Sequence, residues 1–322
     1  MRRLAKLDGV GNIAVEEVAV PPIGPREVLV RVERSLISRG SELGGRYLAQ
    51  GAVDPAAMGY AAVGTIAQIG VDVVEFAPGD RAAALKPHAE FVTADLDDTR
   101  HRPPVVKLPD NVSLDAGMLW PFATSGTSWA IASDIQAGDV VAVVGQGLVG
   151  STMMQLVRRW RPGKVIAIDA LPLRCDLARQ LGADEVINAA ETDAVCAVRK
   201  LTDDRGADVV LEAVGGQWAA SAFAQIQDMV AYGGNIVLIG LYQGEPLPLD
   251  ASKAMGQRII GANSAGTDRP ACSDTALEML SEGLIRADKM ITHRFPAREA
   301  KSAFDMLYER PGEALGVVLT WD

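Results

Sequence analysis

The chain has 322 residues, enough for two domains with sizeable cores, and its composition of 48% hydrophobic and 22% charged residues is that of a globular protein. Its formal net charge of −10 would repel a phosphate backbone, which argues against nucleic acid as a partner. Because no signal peptide is visible and no apolar run approaches the ~18 residues that cross a membrane, we expect a cytoplasmic protein without membrane association.

The first third of the chain is predicted to be β-rich. Between residues 13 and 106, short β-type runs such as 27–32 and 61–69 alternate with turn sequences such as Pro78-Gly79-Asp80. Strands at this spacing, separated by proline and glycine, are typical of a small barrel or sandwich.

From residue 140 onward the pattern changes to α/β. Four near-continuous apolar runs, VVAVV, KVIAID, DVVLE and NIVLIG, are separated by segments of helix length. Strands this apolar are typical of a parallel sheet with both faces covered by helices. We therefore predict a doubly wound parallel sheet, followed by helices at 273–282 and 297–308 and a last strand at 316–320.

A glycine motif follows the first of these apolar runs. Gly145-Gln146-Gly147-Leu148-Val149-Gly150 comes after the strand at 140–144 and opens a predicted helix. In that context the first glycine permits a tight turn, the second lets the backbone approach a pyrophosphate, and the third lets helix and strand pack closely. The motif predicts a dinucleotide site in a Rossmann domain, with a turn that serves packing alone as the alternative.

The choice between the two nicotinamide dinucleotides depends on Asp169, which closes the run KVIAID. A carboxylate at this place can accept hydrogen bonds from the adenosine ribose and would repel a 2′-phosphate, so we expect NAD as the cofactor. Arg174 lies shortly after it and could instead hold a 2′-phosphate. A solvated residue at the strand end is the third interpretation of Asp169.

Several further motifs accompany these, and together they resemble the medium-chain dehydrogenase/reductase superfamily over nearly the whole chain. The resemblance implies an α/β chain: a GroES-like β-rich catalytic domain at 1–118, completed by 290–322, and a Rossmann domain with a doubly wound parallel sheet at 119–289. It also implies an active-site cleft where the domains meet. The further motifs are PREVLV at 25–30, MGYAAVG at 58–64, PGDR at 78–81, HAEFV at 88–92, GADVVLE at 206–212 and GGNIVLIG at 233–240.

The resemblance also implies contacts and partners. It places Thr127 near the nicotinamide and Arg174 near the adenosine. The loops at Val214 and at Ile239, Gly240 and Leu241 would lie along the cofactor. A homodimer joined through the Rossmann sheet edge is expected, because the apolar segments 235–241 and 258–263 would otherwise leave that edge uncovered.

The chain departs from zinc-dependent members at each catalytic ligand position. Where they carry a Cys-Gly-Thr-Asp type motif, it has Ser38-Arg39-Gly40-Ser41-Glu42; where they carry Gly-His-Glu, it has Gly59-Tyr60-Ala61; the third position falls near Ala123. A catalytic zinc needs three protein ligands, so we expect no metal. The cysteines of the structural zinc lobe are missing too. This pattern is most similar to the bacteriochlorophyllide dehydrogenase-like branch.

Without zinc, side chains must move the proton, and four are candidates: Tyr60, Lys86, His88 and Ser41. Tyr60 stands where the family places a metal-binding histidine, and Lys86 stands at a substrate-facing position. His88 belongs to the residue type that ordinarily titrates near neutral pH. Ser41 matches the family's proton-relay hydroxyl. Each residue also has an interpretation without a part in catalysis. Tyr60 could simply fill the vacated metal site, and Ser41 could only position its neighbours. Lys86 could be a solvated surface residue, and His88 could face solvent.

Three functions fit the sequence. The first is a zinc-independent, NAD-dependent dehydrogenase that acts on a secondary alcohol or its ketone, such as a sugar, a cyclitol or a biosynthetic intermediate. The second is an NADPH-dependent quinone or enoyl reductase, against which Asp169 argues. The third is a dinucleotide-binding protein without catalytic activity. In every case the small-molecule ligand would lie in a pocket built from scattered loops.

Overall fold

The computed structural model describes residues 1–98, 103–240, 246–262 and 267–321. The strands are β1 (Arg2–Lys6), β2 (Ile13–Glu17), β3 (Glu27–Ile37), β4 (Ala62–Ile69), β5 (Arg81–Ala84), β6 (Phe91–Asp95), β7 (Val105–Lys107), β8 (Val140–Val144), β9 (Lys164–Asp169), β10 (Glu185–Asn188), β11 (Ala207–Glu212), β12 (Val230–Leu238), β13 (Arg258–Gly261), β14 (Ile291–Pro296) and β15 (Gly316–Thr320). The α-helices are α1 (Leu114–Gly117), α2 (Trp120–Ala132), α3 (Leu148–Leu156), α4 (Pro172–Gln180), α5 (Ala194–Leu201), α6 (Ala219–Met229), α7 (Ala251–Ala254), α8 (Arg269–Ser281), α9 (Ala287–Met290) and α10 (Ala300–Glu309).

The chain divides into two compact units, residues 1–124 with 269–322 and residues 125–268. The sequence had predicted the boundaries near 118 and 290, and the structure differs most at the second of these. Helix α8 belongs to the first unit, where Trp120 Nε1 donates to Ser273 Oγ at 2.9 Å and Asn111 Nδ2 donates to the Ser281 carbonyl at 2.8 Å. In the part of the chain described here, no helix is long and apolar enough to cross a membrane.

The first unit is built around the long strand β3, as the β-rich prediction required. Its larger sheet has the order β14-β15-β3-β4-β5-β7, and β6 also pairs with β3; β1 and β2 form a separate antiparallel pair. Val28, Val30 and Val32 alternate onto the core side of β3, which is the period of two expected for a half-buried strand. Gly64 of β4 lies so close to β3 that a Cβ there would fall 1.9 Å from the Arg31 carbonyl oxygen.

The second unit contains the predicted doubly wound parallel sheet. Its order is β10-β9-β8-β11-β12-β13, with every pair parallel, so the chain starts in the middle at β8 and winds outward in both directions. Val141, Ala142 and Val143 are completely buried because both faces of β8 are covered. In such sheets ligands bind beyond the carboxyl ends of the strands where the winding reverses, which here is between β8 and β11.

Candidate active site

The glycine motif forms the turn between β8 and α3. Gly145 has a φ of +90°, and a Cβ on it would lie 2.9 Å from Val214 Cγ2. A Cβ on Gly150 would lie 1.7 Å from the Gly145 carbonyl oxygen, so the helix can pack against the turn only with glycine at this position. By contrast, a Cβ on Gly147 would meet nothing within 4 Å. The second glycine therefore faces open space at the start of α3, where the first N–H groups of a helix have no intrahelical partner.

Asp169 at the end of β9 is tied to this turn. Its Oδ2 accepts a hydrogen bond from the Gln146 backbone N–H at 2.7 Å, and its Oδ1 accepts one from the Leu171 N–H at 2.9 Å. The guanidinium of Arg174 lies 3.5 Å from Oδ2. Asp169 is buried, so the interpretation as a solvated strand-end residue is wrong. The thiol of Cys175 lies behind it, 3.5 Å from the Asp169 carbonyl oxygen, and burial together with the charge of Asp169 raises the pKa of this thiol.

Two buried polar atoms beside Asp169 lack hydrogen-bond partners among the described residues. They are Gln146 Oε1, an acceptor, and Arg174 Nε, a donor. Such atoms are costly unless something pairs with them. Gln146 is completely buried and Arg174 Nε is shielded from solvent, so both atoms lie behind the surface that a ligand would meet, whereas the open space at Gly147 is accessible to a polar group at the N-terminus of α3.

Glu212, at the end of β11, is a site residue that the sequence analysis did not single out. Its side chain is completely buried; Oε1 accepts from the Val214 N–H at 2.7 Å and Oε2 from the Gly240 N–H at 3.3 Å. Its carbonyl oxygen accepts from the Ile239 N–H at 2.9 Å. One carboxylate therefore holds together both loops that were predicted to line the cofactor. An acid closing an apolar strand, as at Asp169, was the available signal.

Three further residues that were predicted to contact the cofactor belong to the second unit. Thr127 lies within α2 and is buried, and Leu148 and Val149 begin α3. Leu241 lies outside the described residues.

In the first unit, three hydroxyl groups meet. Tyr60 Oη donates to Ser38 Oγ at 2.6 Å, and Ser41 Oγ donates to the same Ser38 oxygen at 2.9 Å. Ser38 precedes a π-helical segment, Arg39–Tyr47, which places Ser38 and Ser41 on one side of its first turn. The ring of Tyr60 packs against that of Phe122 at a centroid distance of 5.5 Å. The structure thus joins Tyr60 and Ser41, two of the four predicted residues, through Ser38.

His88 lies beneath this cluster and is buried. Its Nε2 is 2.9 Å from Glu42 Oε2 and its Nδ1 is 2.8 Å from Ser35 Oγ, so both ring nitrogens are engaged. The alternative of a solvent-facing histidine is therefore wrong. Sequence reasoning missed Glu42 as the partner of this ring.

Within the described part of the chain, Lys86 has no hydrogen-bond partner of the kind found for Tyr60, Ser41 and His88. It is half-buried, and no hydrogen bond or ion pair joins its ammonium to any residue in the described ranges, Tyr60 included. The substrate-facing role expected of Lys86 therefore stays a prediction. An ammonium without such a partner can attract an anion or a polarised oxygen.

The positions that correspond to zinc ligands hold Ser38, Tyr60 and the buried Ala123. Across the ranges that the structure covers, no three His, Cys, Asp or Glu side chains come together in a way that could hold a metal ion. A serine hydroxyl, a phenol and a methyl group do not make a zinc donor set.

Comparison with known proteins agrees with the fold. A family model described as zinc-binding dehydrogenase matches residues 149–282. The chain is 26% identical to the sorbitol dehydrogenase of Bacillus subtilis (strain 168), over 98% of this chain and 96% of that enzyme. It is also 26% identical to the L-threonine 3-dehydrogenase of Anaeromyxobacter dehalogenans (strain 2CP-C), over 95% and 94%.

Among solved structures, the alcohol dehydrogenase TADH from Thermus sp. ATN1 superposes with a TM-score of 0.84 at 27% identity and covers 99% of both chains. The similarity therefore extends over both units of the chain.

Proposed function

We propose that this chain, an oxidoreductase of the medium-chain dehydrogenase/reductase superfamily, is a zinc-independent dehydrogenase that transfers a hydride between NAD and a secondary alcohol or its ketone. The observation that carries the proposal is the hydroxyl cluster: Tyr60 donates to Ser38 where zinc-dependent members have metal ligands. A phenol can perform the proton transfer that the reaction needs, and its neighbours can support it.

The second unit would hold the cofactor. When bound, NAD would accept or supply the hydride. The turn at 145–150 and the N-terminus of α3 would receive its pyrophosphate, and Asp169 would accept hydrogen bonds from its adenosine ribose. Glu212 would keep the loops at Val214 and at Ile239–Gly240 in place along it, and we expect Leu241 and Thr127 to contribute as the family resemblance implies.

The proposed independence from zinc is supported by the donor set. The side chains of Ser38, Tyr60 and Ala123 supply no thiolate, imidazole or carboxylate. The family match at residues 149–282 includes none of these three positions, so its description does not bear on them. The pattern of Ser38, Ser41 and Tyr60 also favours the bacteriochlorophyllide dehydrogenase-like branch, which we retain as a proposal.

In the first unit, we assign the proton transfer to Tyr60. Its phenol would take the hydroxyl proton of an alcohol or donate a proton to the oxygen of a ketone. Lys86, with its unpaired ammonium, would draw the substrate oxygen or a negatively charged substituent toward the phenol. Both ring nitrogens of His88 are hydrogen-bonded, so His88 would hold its neighbours in position rather than carry the proton.

The relatives support a proposal for the substrate class. Sorbitol dehydrogenase and L-threonine 3-dehydrogenase are similar to this chain over almost all of its length. We therefore propose a polyol, a sugar-like alcohol or a hydroxylated acid as substrate. The free ammonium of Lys86 favours the acidic member of this set.

A panel assay tests the proposal. Purified protein is given NAD or NADP with sorbitol, L-threonine or 2,3-butanediol, and formation of reduced nicotinamide is followed by absorbance before and after incubation with a strong zinc chelator. We expect turnover that survives the chelator and no stoichiometric zinc by elemental analysis. About one zinc per chain, removed together with the activity, would overturn the zinc-independent part of the proposal.

An NADPH-dependent quinone or enoyl reductase is the second candidate. It is favoured by the guanidinium of Arg174, which lies 3.5 Å from Asp169 and could pair with a 2′-phosphate. The same assay with a quinone and NADPH distinguishes the two functions. Turnover of either kind also dismisses a non-catalytic binding protein.

A further inference from the structure

The hydroxyl cluster rests on a buried carboxylate. Glu42 is completely buried, and its Oε1 accepts a hydrogen bond from the Ser38 backbone N–H at 2.8 Å. The Glu42 N–H donates in return to the Ser38 carbonyl oxygen at 2.9 Å. These reciprocal bonds fix the backbone of Ser38 and hence the place of its hydroxyl.

The carboxylate is itself held by a directed chain of hydrogen bonds. Trp321 Nε1 donates to Ser35 Oγ at 2.9 Å, and that hydroxyl faces His88 Nδ1 at 2.8 Å. If Ser35 donates to Nδ1, then His88 carries its proton on Nε2 and donates to Glu42 at 2.9 Å. With this tautomer each of these groups has a partner, which is the condition for a stable buried network.

The same histidine fixes the segment that carries Tyr60. The His88 N–H donates to the Met58 carbonyl oxygen at 2.6 Å. Gly59 has a φ of +101°, and a Cβ on it would lie 2.6 Å from His88 Cδ2, so the ring packs directly under the Gly59 backbone. One network therefore fixes both ends of the hydrogen bond between Tyr60 and Ser38.

We propose that Ser38 is a relay residue through which the proton of Tyr60 passes, and that Glu42 and His88 position it. This inference rests on the proposed function. In alcohol oxidation a bound NAD would accept the hydride, and the alcohol proton moves to the Tyr60 oxygen. The phenol proton moves to Ser38, the Ser38 proton to Ser41, and the Ser41 proton to water. Ketone reduction runs the same transfers in reverse.

The geometry of the Ser38 oxygen supports this route. It accepts hydrogen bonds from both Tyr60 and Ser41, and hydroxyl groups can rotate to reverse a bond's direction. Ser38 is only 6% exposed, whereas Ser41 is half-buried. The chain of hydroxyls therefore leads from the phenol through a buried group to one that water can reach.

A substrate-free titration tests the coupling. Tyrosinate absorbance is followed against pH in the intact protein, and the curve of the same protein carrying Tyr60→Phe is subtracted, which leaves the ionisation of Tyr60. In Ser38→Ala the phenolate loses a hydroxyl donor, so we expect the midpoint to rise by about one pH unit. Ser38→Thr keeps the hydroxyl and should keep the midpoint of the parent protein.

Ser113→Ala serves as the matched control, because its hydroxyl caps α1 by accepting from the Ala116 N–H and has no part in the cluster. Thermal unfolding is measured for each variant. If Ser38→Ala does not fold, Ser38→Cys replaces it, since a thiol is only a weak donor. An unchanged midpoint in the variant that lacks the hydroxyl, or an equal rise in Ser38→Thr, would overturn the relay.

Kinetics separate this inference from the proposed function. On the alcohol identified by the panel, Ser38→Ala should lower kcat by about tenfold or more, leave KM within about twofold, and move the pH profile of kcat upward. A Tyr60→Phe variant with full kcat contradicts the role of Tyr60 in the proposed function, whatever the titration gives. An impaired Tyr60→Phe variant beside a Ser38→Ala variant with unaltered titration and pH profile contradicts the relay alone.

Discussion

Asp169 shows how a single residue sets the expected cofactor preference. Both of its carboxylate oxygens accept backbone N–H groups, from Gln146 and Leu171, so its charge is held in one orientation beside the glycine turn. A fixed, buried charge discriminates against a second negative group more strongly than a mobile, solvated one. The guanidinium of Arg174 offsets part of that repulsion, and the balance between the two decides the preference.

Replacing Asp169 should erode the preference for NAD. In Asp169→Ser we expect the ratio of NADP to NAD dissociation constants to fall by about tenfold to a hundredfold, because one charge-assisted hydrogen bond and one repulsion are removed. Fluorescence titration with both cofactors measures it. The control is Asp176→Ser, an exposed acid of α4 whose partner is Arg179. Equal affinity of the parent protein for NAD and NADP would refute the assignment.

Tyr60 and Lys86 should separate kinetically. In Tyr60→Phe we expect kcat to fall by about a hundredfold to ten-thousandfold while the affinity for NAD stays the same, because only the proton transfer is lost. In Lys86→Met we expect KM to rise by about tenfold with a smaller change in kcat, because the proposed attraction between the ammonium and the substrate would be lost. Steady-state kinetics on the panel alcohol measure both. A selective loss of kcat in Lys86→Met would make the lysine a proton carrier instead.

At the scale of elements, the glycines in the turn from β8 to α3 have different roles. Gly150 is required by packing, since α3 approaches the Gly145 carbonyl too closely for any side chain. Gly147 has no such neighbour, and glycine there leaves room for something outside the protein. Glu212 adds the loops after β11 and β12 to the same edge of the sheet.

Two alanine substitutions test this division. Gly150→Ala should destabilise the fold by about 3 kcal/mol or more, since its methyl group would overlap backbone that cannot move aside. Gly147→Ala should unfold at the temperature of the parent protein but bind NAD about tenfold more weakly, because the methyl group occupies the approach of the pyrophosphate. Thermal unfolding and cofactor titration give the two readouts. Normal cofactor binding by Gly147→Ala would speak against a pyrophosphate at this turn.

At the scale of the whole molecule, the sheet of the second unit ends at β13. Segments 235–241 and 258–263 were both predicted to form that edge. Strand β12, which contains most of the first segment, pairs with β11 and with β13 and so lies inside the sheet. Among the described residues no strand covers the outer side of β13. Tyr232 and Met255, 93% and 88% exposed, lie near it, and the Tyr232 ring rests on Gly256. An uncovered edge beside exposed apolar side chains favours pairing with a second copy.

We therefore expect a homodimer joined through β13. Light scattering at micromolar concentration should give twice the chain mass, and Tyr232→Asp should weaken the association by about tenfold or more, because it places a charge at the apolar edge. Val71→Asp is the matched control, since Val71 is 90% exposed in the other unit. A monomeric parent protein at this concentration would contradict the proposal.

Local sequence determined much of this protein. Short stretches of consecutive residues were enough to predict the apolar strands, the glycine turn and the acid at the end of β9. Strand burial and a tight turn depend on neighbours in the chain. Tertiary structure alone decided which distant groups meet. His88 and Trp321 are far in sequence from Ser35 and Glu42, and the pairing of β3 with β6 and β15 brings them to this segment. Side-chain partners of this kind leave no periodic signal, so the support beneath Tyr60 could not be predicted from the sequence.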